Sequence, residues 1–174
     1  AVEQLVPAFE RPVELVIVGG ASGPSGAAFV AALRERAAAG GIGKRVHFVG
    51  PQPHGATVDF YRSADAVLVC SYSESFGLSA LEAQACGVPV VGTDVGGLKH
   101  VVRDGASGFL VGERDPAVVA GYLKTLLSDD NLWAEFSAVA RTAAWSFTWE
   151  RTARELLELY GCLIEQRVPE VCTC

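Results

Sequence analysis

Short apolar runs alternate with helical patterns along most of the chain, and this alternation constrains the fold more than any other feature. The apolar runs lie at 13–18, 46–49, 66–70, 88–91 and 108–111. Helical spacing of apolar residues predicts helices at 25–39, 57–63, 78–86, 116–127, 131–144 and 149–166. Continuously apolar strands separated by helices are typical of parallel sheets with both faces covered. The sequence therefore predicts an α/β fold with a doubly wound, Rossmann-like parallel sheet.

The last predicted helix carries an apolar stripe that needs a partner surface. The stripe comprises Trp149, Ala153, Leu156, Leu157, Tyr160 and Ile164. Packing against this domain is the favoured interpretation, and contact with a domain outside the chain is the alternative. We therefore divide the chain into a Rossmann-like domain at 1–147, a C-terminal helix at 148–166 and a tail at 167–174.

The composition is that of a packed globular protein, and it excludes several classes of function. Of the 174 residues, 50% are hydrophobic and 20% are charged, unlike a disordered chain. The net charge of −6 argues against a nucleic-acid partner, because such proteins need a basic surface. Apolar runs stay shorter than the ~18 residues of a membrane span, so we expect no spanning helix and leave peripheral membrane association open.

The cysteines indicate free thiols rather than a disulfide framework. Their positions are 70, 86, 162, 172 and 174, an odd number without regular spacing. This pattern fits a reducing compartment, so we expect a cytoplasmic protein. Because two further ligands are missing near Cys172 and Cys174, we expect no metal site there.

Glu74 and Glu82, separated by seven residues, lie where a predicted strand passes into a predicted helix. Ligands of open α/β sheets bind at the carboxyl ends of the strands. Eight helical steps would place the carboxylates about 12 Å apart along the axis, although Glu74 precedes the helix. With a helix N-terminus between them, they suit a ligand that has hydroxyls at both ends and an anion in the middle. For Glu82 an alternative stays open, because Ser79 to Glu82 also matches a capping box.

Two glycine-containing loops also follow predicted strands. The loop that begins at Gly19 lacks the G-x-G-x-x-G spacing, and the second strand ends at Gly50 without the acidic residue of a dinucleotide site. A nucleotide-dependent oxidoreductase is therefore the weaker alternative. In the second loop, at 92–97, Gly96 and Gly97 would let backbone amides approach a ligand closely. The histidines, at positions 47, 54 and 100, match no catalytic motif.

Taken together, these motifs resemble the C-terminal domain of GT-B glycosyltransferases of family 4, over about 13–160. The strongest marker is the E-x7-E element in Ser71-Tyr72-Ser73-Glu74-Ser75-Phe76-Gly77-Leu78. The segments 87–91, 96–97 and 104–111 follow in the order typical of that family. The local sequence around the glutamates is most similar to that of D-inositol-3-phosphate glycosyltransferases and of sucrose-phosphate-synthase-like enzymes.

The resemblance implies that the chain binds a nucleotide-diphosphate sugar, UDP-linked in the nearest subfamilies. Glu74 would be the catalytic residue, accepting hydrogen bonds from the sugar hydroxyls, and Glu82 would accept both ribose hydroxyls. Ionised carboxylates accept several such donors at once. The implied contacts with the diphosphate are the amides of Ser75, Phe76, Gly77 and Leu78, and those near the base are Gly50, Pro51 and Gln52. Gly19 is a further donor-binding residue.

The implied reaction moves a hexosyl group to an acceptor hydroxyl with retention at the anomeric carbon. It requires no metal and no cofactor besides the donor, and catalysis consists mainly of stabilising the departing nucleotide diphosphate. In the family, an arginine and a lysine that bind the diphosphate precede the first helix, within which this chain begins. We therefore expect this pair and the acceptor-binding N-terminal domain to lie outside the chain, and the chain alone to be inactive. A stand-alone binding module that uses the last helix is the alternative function.

Overall fold

The computed structural model describes residues 1–112 and 114–164. The strands in this part of the chain are β1 (Leu15–Val18), β2 (Val46–Val49), β3 (Val67–Val69), β4 (Val90–Thr93) and β5 (Gly108–Val111). The α-helices are α1 (Val2–Leu5), α2 (Gly26–Ala39), α3 (His54–Arg62), α4 (Leu78–Ala85), α5 (Leu98–Val101), α6 (Pro116–Ser128), α7 (Asp130–Ala144) and α8 (Trp149–Ile164). The predicted tail at 167–174 and the last two positions of the predicted final helix lie outside the described residues.

The strands pair in parallel, as the sequence predicts. β1 pairs with β2 along their whole length, with Leu15 opposite Val46. β4 lies between β3 and β5, and Val90 stands opposite both Val67 and Gly108. The hydrogen bonds form a two-stranded sheet and a three-stranded sheet instead of one continuous ladder. The predicted α/β class with parallel strands is confirmed.

β4 lies at the centre of the core because both of its faces are buried. Val90 and Val91 are fully buried, and successive side chains of a strand point to opposite faces. Val91 belongs to a group that we call the α6–α7 cluster, with Val111, Leu123, Leu126 and Phe136. Val90 belongs to the α4–α5 cluster, with Ala80, Ala83, Leu98 and Val101. Helices thus cover both faces of this sheet, which is the doubly wound arrangement.

The structure differs from the sequence prediction at several element boundaries and contains one additional helix. The fourth strand is shifted towards Thr93 because Pro89 has no N–H for the ladder, and only its carbonyl takes part, accepting from Val67 N at 3.1 Å. Helix α5 is not predicted, and it forms because Leu98 and Val101, three positions apart, are both buried. Helix α3 begins at His54, three positions before the prediction.

Aspartate caps define the starts of the two long helices on one face of the sheet. Asp115 Oδ1 accepts from the Ala117 N–H at 2.7 Å, and Pro116 is the first helical residue, as predicted. Asp129 Oδ1 accepts from the N–H groups of Asn131 and Leu132, at 2.9 and 3.0 Å. Because Asp129 alone separates α6 from α7, the chain turns sharply between them.

Helix α8 leaves its apolar stripe exposed, which contradicts the favoured interpretation that this domain covers it. Trp149, Leu157 and Ile164 are 86%, 71% and 82% exposed, and none of the described α8 residues is buried. Charged residues lie between the stripe positions, at Glu150, Arg151, Arg154, Glu155 and Glu158. Within the described ranges, every helix is too short or too polar to cross a membrane.

Replacing Leu126 by alanine removes a fully buried side chain from the α6–α7 cluster. We expect the free energy of unfolding to fall by about 2–5 kcal/mol. The matched change Leu157→Ala, on the exposed α8 stripe, should lower it by less than about 0.5 kcal/mol. Urea denaturation followed by circular dichroism measures both values. A similar loss for both variants would mean that α8 packs on this domain.

Candidate functional site

The loop between β3 and α4 brings the Glu74 carboxylate to the N-terminus of α4. Glu74 Oε1 accepts a hydrogen bond from the backbone N–H of Gly77 at 3.1 Å, and Ser71 Oγ lies 3.4 Å from Oε2. Gly77, directly before the helix, has a φ of +96°, a conformation that favours glycine. The carboxylate therefore satisfies one of the amides that a helix start leaves unpaired. The sequence suggests no such structural role for Glu74, and the structure supplies one.

The loop after β4 lies directly against the Glu74 loop, and two glycines make this approach possible. The Gly97 N–H donates to the carbonyl oxygen of Glu74 at 2.9 Å. A Cβ at Gly96 would overlap that same oxygen, and a Cβ at Gly97 would overlap the backbone of Phe76. The glycines thus allow two loops to pack together. The Gly97 amide is used in this contact, and it is not presented to a ligand as the sequence suggests.

Glu82 does not form the capping box that the sequence leaves open. Helix α4 begins at Leu78, so Ser79 is its second residue and not its N-cap. The Tyr61 hydroxyl instead donates to Glu82 Oε2 at 2.9 Å. His54 Nδ1 lies 3.6 Å from Oε1, and the Glu82 side chain is 31% exposed. Glu82 therefore has a defined orientation and remains accessible to a ligand.

The environment of Tyr61 keeps its hydroxyl protonated. Burial and the neighbouring Glu82 carboxylate raise the pKa of Tyr61 to about 12, and the Ser79 hydroxyl opposes this shift. At neutral pH the phenol is therefore the hydrogen-bond donor and Glu82 the acceptor. Tyr61 and His54 are site residues that sequence patterns miss, because both lie on α3 whereas Glu82 lies on α4.

Three of the four residues that the resemblance assigns to the diphosphate are exposed, and Gly77 is buried. Phe76 and Leu78 are 40% and 63% exposed, and Ser75 is exposed beside them. The Phe76 ring meets the Phe147 ring edge to face, with centroids 5.8 Å apart and planes at 82°. A ligand at the start of α4 would thus meet exposed apolar side chains, whereas the Gly77 N–H is already bonded to Glu74.

The loops after β1 and β2 contact each other. The Gly19 N–H donates to the Val49 carbonyl at 3.1 Å, and a Cβ at Gly20 would lie 2.9 Å from Pro51 Cγ. Gly50, Pro51 and Gln52 are all exposed. Since α3 begins two residues after Gln52 with His54, this second loop leads directly to the Glu82 carboxylate.

Two cations beside the loops after β3 and β4 already have partners. Lys99 Nζ lies 3.2 Å from Asp94 Oδ1. Arg114 donates from Nη2 to the Tyr72 carbonyl at 3.0 Å, and its guanidinium lies 3.9 Å from the centre of the Tyr72 ring. No sequence pattern identifies Arg114, which is 42 positions from Tyr72. Among residues 1–112 and 114–164, no three His, Cys, Asp or Glu side chains group closely enough to hold a metal ion.

Known protein sequences identify the family. Residues 1–143 match the family model described as Glycosyl transferases group 1. A D-inositol 3-phosphate glycosyltransferase of Salinispora arenicola is 46% identical over 177 residues, covering 100% of this chain and 39% of the relative. The enzyme of the same name from Nocardia farcinica is 48% identical over 154 residues, covering 88% and 34%. The chain thus spans about two fifths or less of the length of these curated relatives.

Solved structures share the fold. The sucrose-phosphate synthase of Thermosynechococcus elongatus has a TM-score of 0.80 at 32% identity, covering 95% of this chain and 42% of that chain. Anabaena HepE in complex with UDP has a TM-score of 0.81 at 23% identity, covering 92% and 44%, which is evidence of fold alone. These GT-B neighbours confirm the Rossmann-like class. The curated relatives and the sucrose-phosphate synthase confirm the predicted subfamily resemblance, and the family match argues against an oxidoreductase. The chain belongs to the Glycosyl transferases group 1 family.

Proposed function

We propose that the chain is the donor-binding half of a retaining glycosyltransferase of family 4. It binds a nucleotide-diphosphate sugar, UDP-linked, whose hexosyl group passes to an acceptor hydroxyl. The observation that carries this proposal is the placement of Glu74 and Glu82 on either side of the N-terminus of α4. The names of the curated relatives and a fold neighbour in complex with UDP-glucose agree with it.

Glu82 binds the ribose of the donor. Its carboxylate is accessible, and the Tyr61 hydrogen bond leaves lone pairs on both oxygens. Two vicinal hydroxyls can therefore donate to it together. Hydrogen bonds to an ionised acceptor are about twice as strong as neutral ones, so this contact contributes substantially to affinity.

Glu74 is the catalytic residue and holds the hydroxyls of the transferred sugar, while the amides of Ser75, Phe76 and Leu78 face the diphosphate. Gly77 lies between them, and its N–H orients Glu74. The negative charge of Glu74 by itself would repel the negatively charged diphosphate. The hydrogen bond from the Gly77 N–H disperses the charge of Glu74, and the dipole of α4 favours anions at this end. The same potential stabilises the negative charge that develops on the leaving UDP.

The base lies against the loops after β1 and β2. Gly19 closes one side of this surface, and Gly50, Pro51 and Gln52 form the other. Backbone groups and a flat proline ring suit a planar base, and the Gln52 side chain adds both a donor and an acceptor. The path from this loop through α3 to Glu82 then follows the order of base and ribose in a nucleotide.

We propose that transfer needs no metal, because helix amides supply positive potential where a cation would otherwise act. We propose retention at the anomeric carbon because the chain resembles family 4. The acceptor binds to a further domain outside these 174 residues, which span 39% of the Salinispora arenicola relative. Without that domain the chain binds donor but transfers nothing. The apolar stripe of α8 packs on this acceptor-binding domain, and the whole enzyme acts in the cytoplasm.

Titration calorimetry with UDP tests the donor site. Glu82→Gln keeps the shape of the side chain and removes its charge, so we expect UDP affinity to fall about tenfold. The control Glu135→Gln, an exposed carboxylate on α7, should leave affinity unchanged. If wild type and Glu82→Gln bind UDP equally, the ribose role is wrong. If the wild type does not bind UDP, the donor-binding proposal itself fails.

Joining the chain to the N-terminal half of the Salinispora arenicola relative should cover the α8 stripe. We expect the amides of 149–164 to exchange hydrogen more slowly in the fusion than in the isolated chain, because a packed helix opens less often. Amides of α6, already packed on the sheet, serve as the internal control. Leu157→Glu in the fusion should restore fast exchange in α8. Fast exchange in the unmodified fusion would contradict the proposed contact.

A further inference from the structure

The Tyr61 hydroxyl restricts the orientation of the Glu82 carboxylate. The two side chains come from adjacent helices, α3 and α4, and the hydrogen bond from Tyr61 to Oε2 measures 2.9 Å. A glutamate side chain at a helix surface otherwise samples several rotamers. Tyr61 is itself packed against the α4–α5 cluster, so its hydroxyl is a fixed point. The plane of the carboxylate is therefore defined before any ligand arrives.

This arrangement leaves Oε1 open. His54 Nδ1 lies 3.6 Å from Oε1, which is longer than a hydrogen bond, and the imidazole is 85% exposed. Oε1 therefore keeps its lone pairs for an incoming donor, and Oε2 retains a second lone pair beside the Tyr61 bond. A ligand with two adjacent hydroxyls uses both oxygens at a lower entropic cost when the carboxylate plane is already fixed.

We propose that Tyr61 is the positioning residue through which Glu82 recognises the two hydroxyls of a ribose. The inference rests on the proposed function, in which Glu82 binds the ribose of the donor. Tyr61 acts through the carboxylate and does not touch the nucleotide. Without its hydroxyl, Glu82 rotates among rotamers, and the preference for ribose over 2′-deoxyribose falls.

A purely structural role for Tyr61 predicts a different result. Loss of the hydroxyl would then loosen the packing of α3 on α4 and weaken every nucleotide at this site to a similar degree. The ratio of the affinities for UDP and 2′-deoxy-UDP separates the two roles, because the nucleotides differ only in the 2′-hydroxyl.

Calorimetric titration of the 174-residue chain with UDP and with 2′-deoxy-UDP tests the inference. We expect the wild type to prefer UDP. Tyr61→Phe should weaken UDP binding about fivefold, the effect of one ordinary hydrogen bond, and 2′-deoxy-UDP binding less, so that the ratio moves towards one. The matched control Tyr122→Phe, on α6 beside Phe109, should change neither affinity.

The outcomes distinguish this inference from the proposed function. If the wild type prefers UDP and Tyr61→Phe keeps the same ratio, the positioning role is overturned and the ribose role of Glu82 survives. If the wild type binds UDP without preferring it over 2′-deoxy-UDP, the ribose role fails, and this inference fails with it.

A measurement on the wild type covers the case in which Tyr61→Phe does not fold. The four tyrosines can be labelled with ¹³C at the ring carbon that bears the hydroxyl. Variants of Tyr72, Tyr122 and Tyr160 assign the Tyr61 signal by elimination. We expect UDP to shift this signal more than 2′-deoxy-UDP does. Equal shifts, or none at saturating UDP, would overturn the positioning role.

Discussion

The burial of β4 on both faces is the constraint on which the fold and the site depend. Val90 and Val91 face opposite layers, so the helices on each side can pack only where this strand places them. The end of β4 also leads into Gly96 and Gly97, and the Gly97 N–H holds the carbonyl of Glu74. A shift of β4 would therefore move the loop that carries Glu74. The geometry of the site follows directly from the packing of the core.

The electrostatics of the site rely on the backbone more than on side-chain cations. Lys99 is paired with Asp94, and Arg114 is stacked on Tyr72, so neither is a ready partner for an anion. In a chain of net charge −6, the start of α4 supplies a local positive potential. Amide dipoles do not titrate, so this potential is the same across the physiological pH range.

Local patterns predict most of the elements, and contacts between distant residues account for what they miss. The strands and the Asp115 cap depend on neighbouring residues, so the sequence predicts them well. The capping box that the sequence leaves open for Glu82 does not form, and Glu74, for which the sequence suggests no structural role, accepts a hydrogen bond at the start of α4. Tyr61 reaches Glu82 across 21 positions, which no spacing rule detects. For α8, periodicity indicates an apolar face but not which surface covers it.

The edge-to-face contact between Phe76 and Phe147 has a mechanical consequence. Phe147 lies between α7 and α8, two positions before Trp149 begins α8, whereas Phe76 lies in the loop that carries Glu74. A change in the direction of α8 must either pull the Phe76 ring along or separate the two rings. The conformation of the loop at the start of α4 is thus coupled, through this ring contact, to the direction in which α8 leaves the domain.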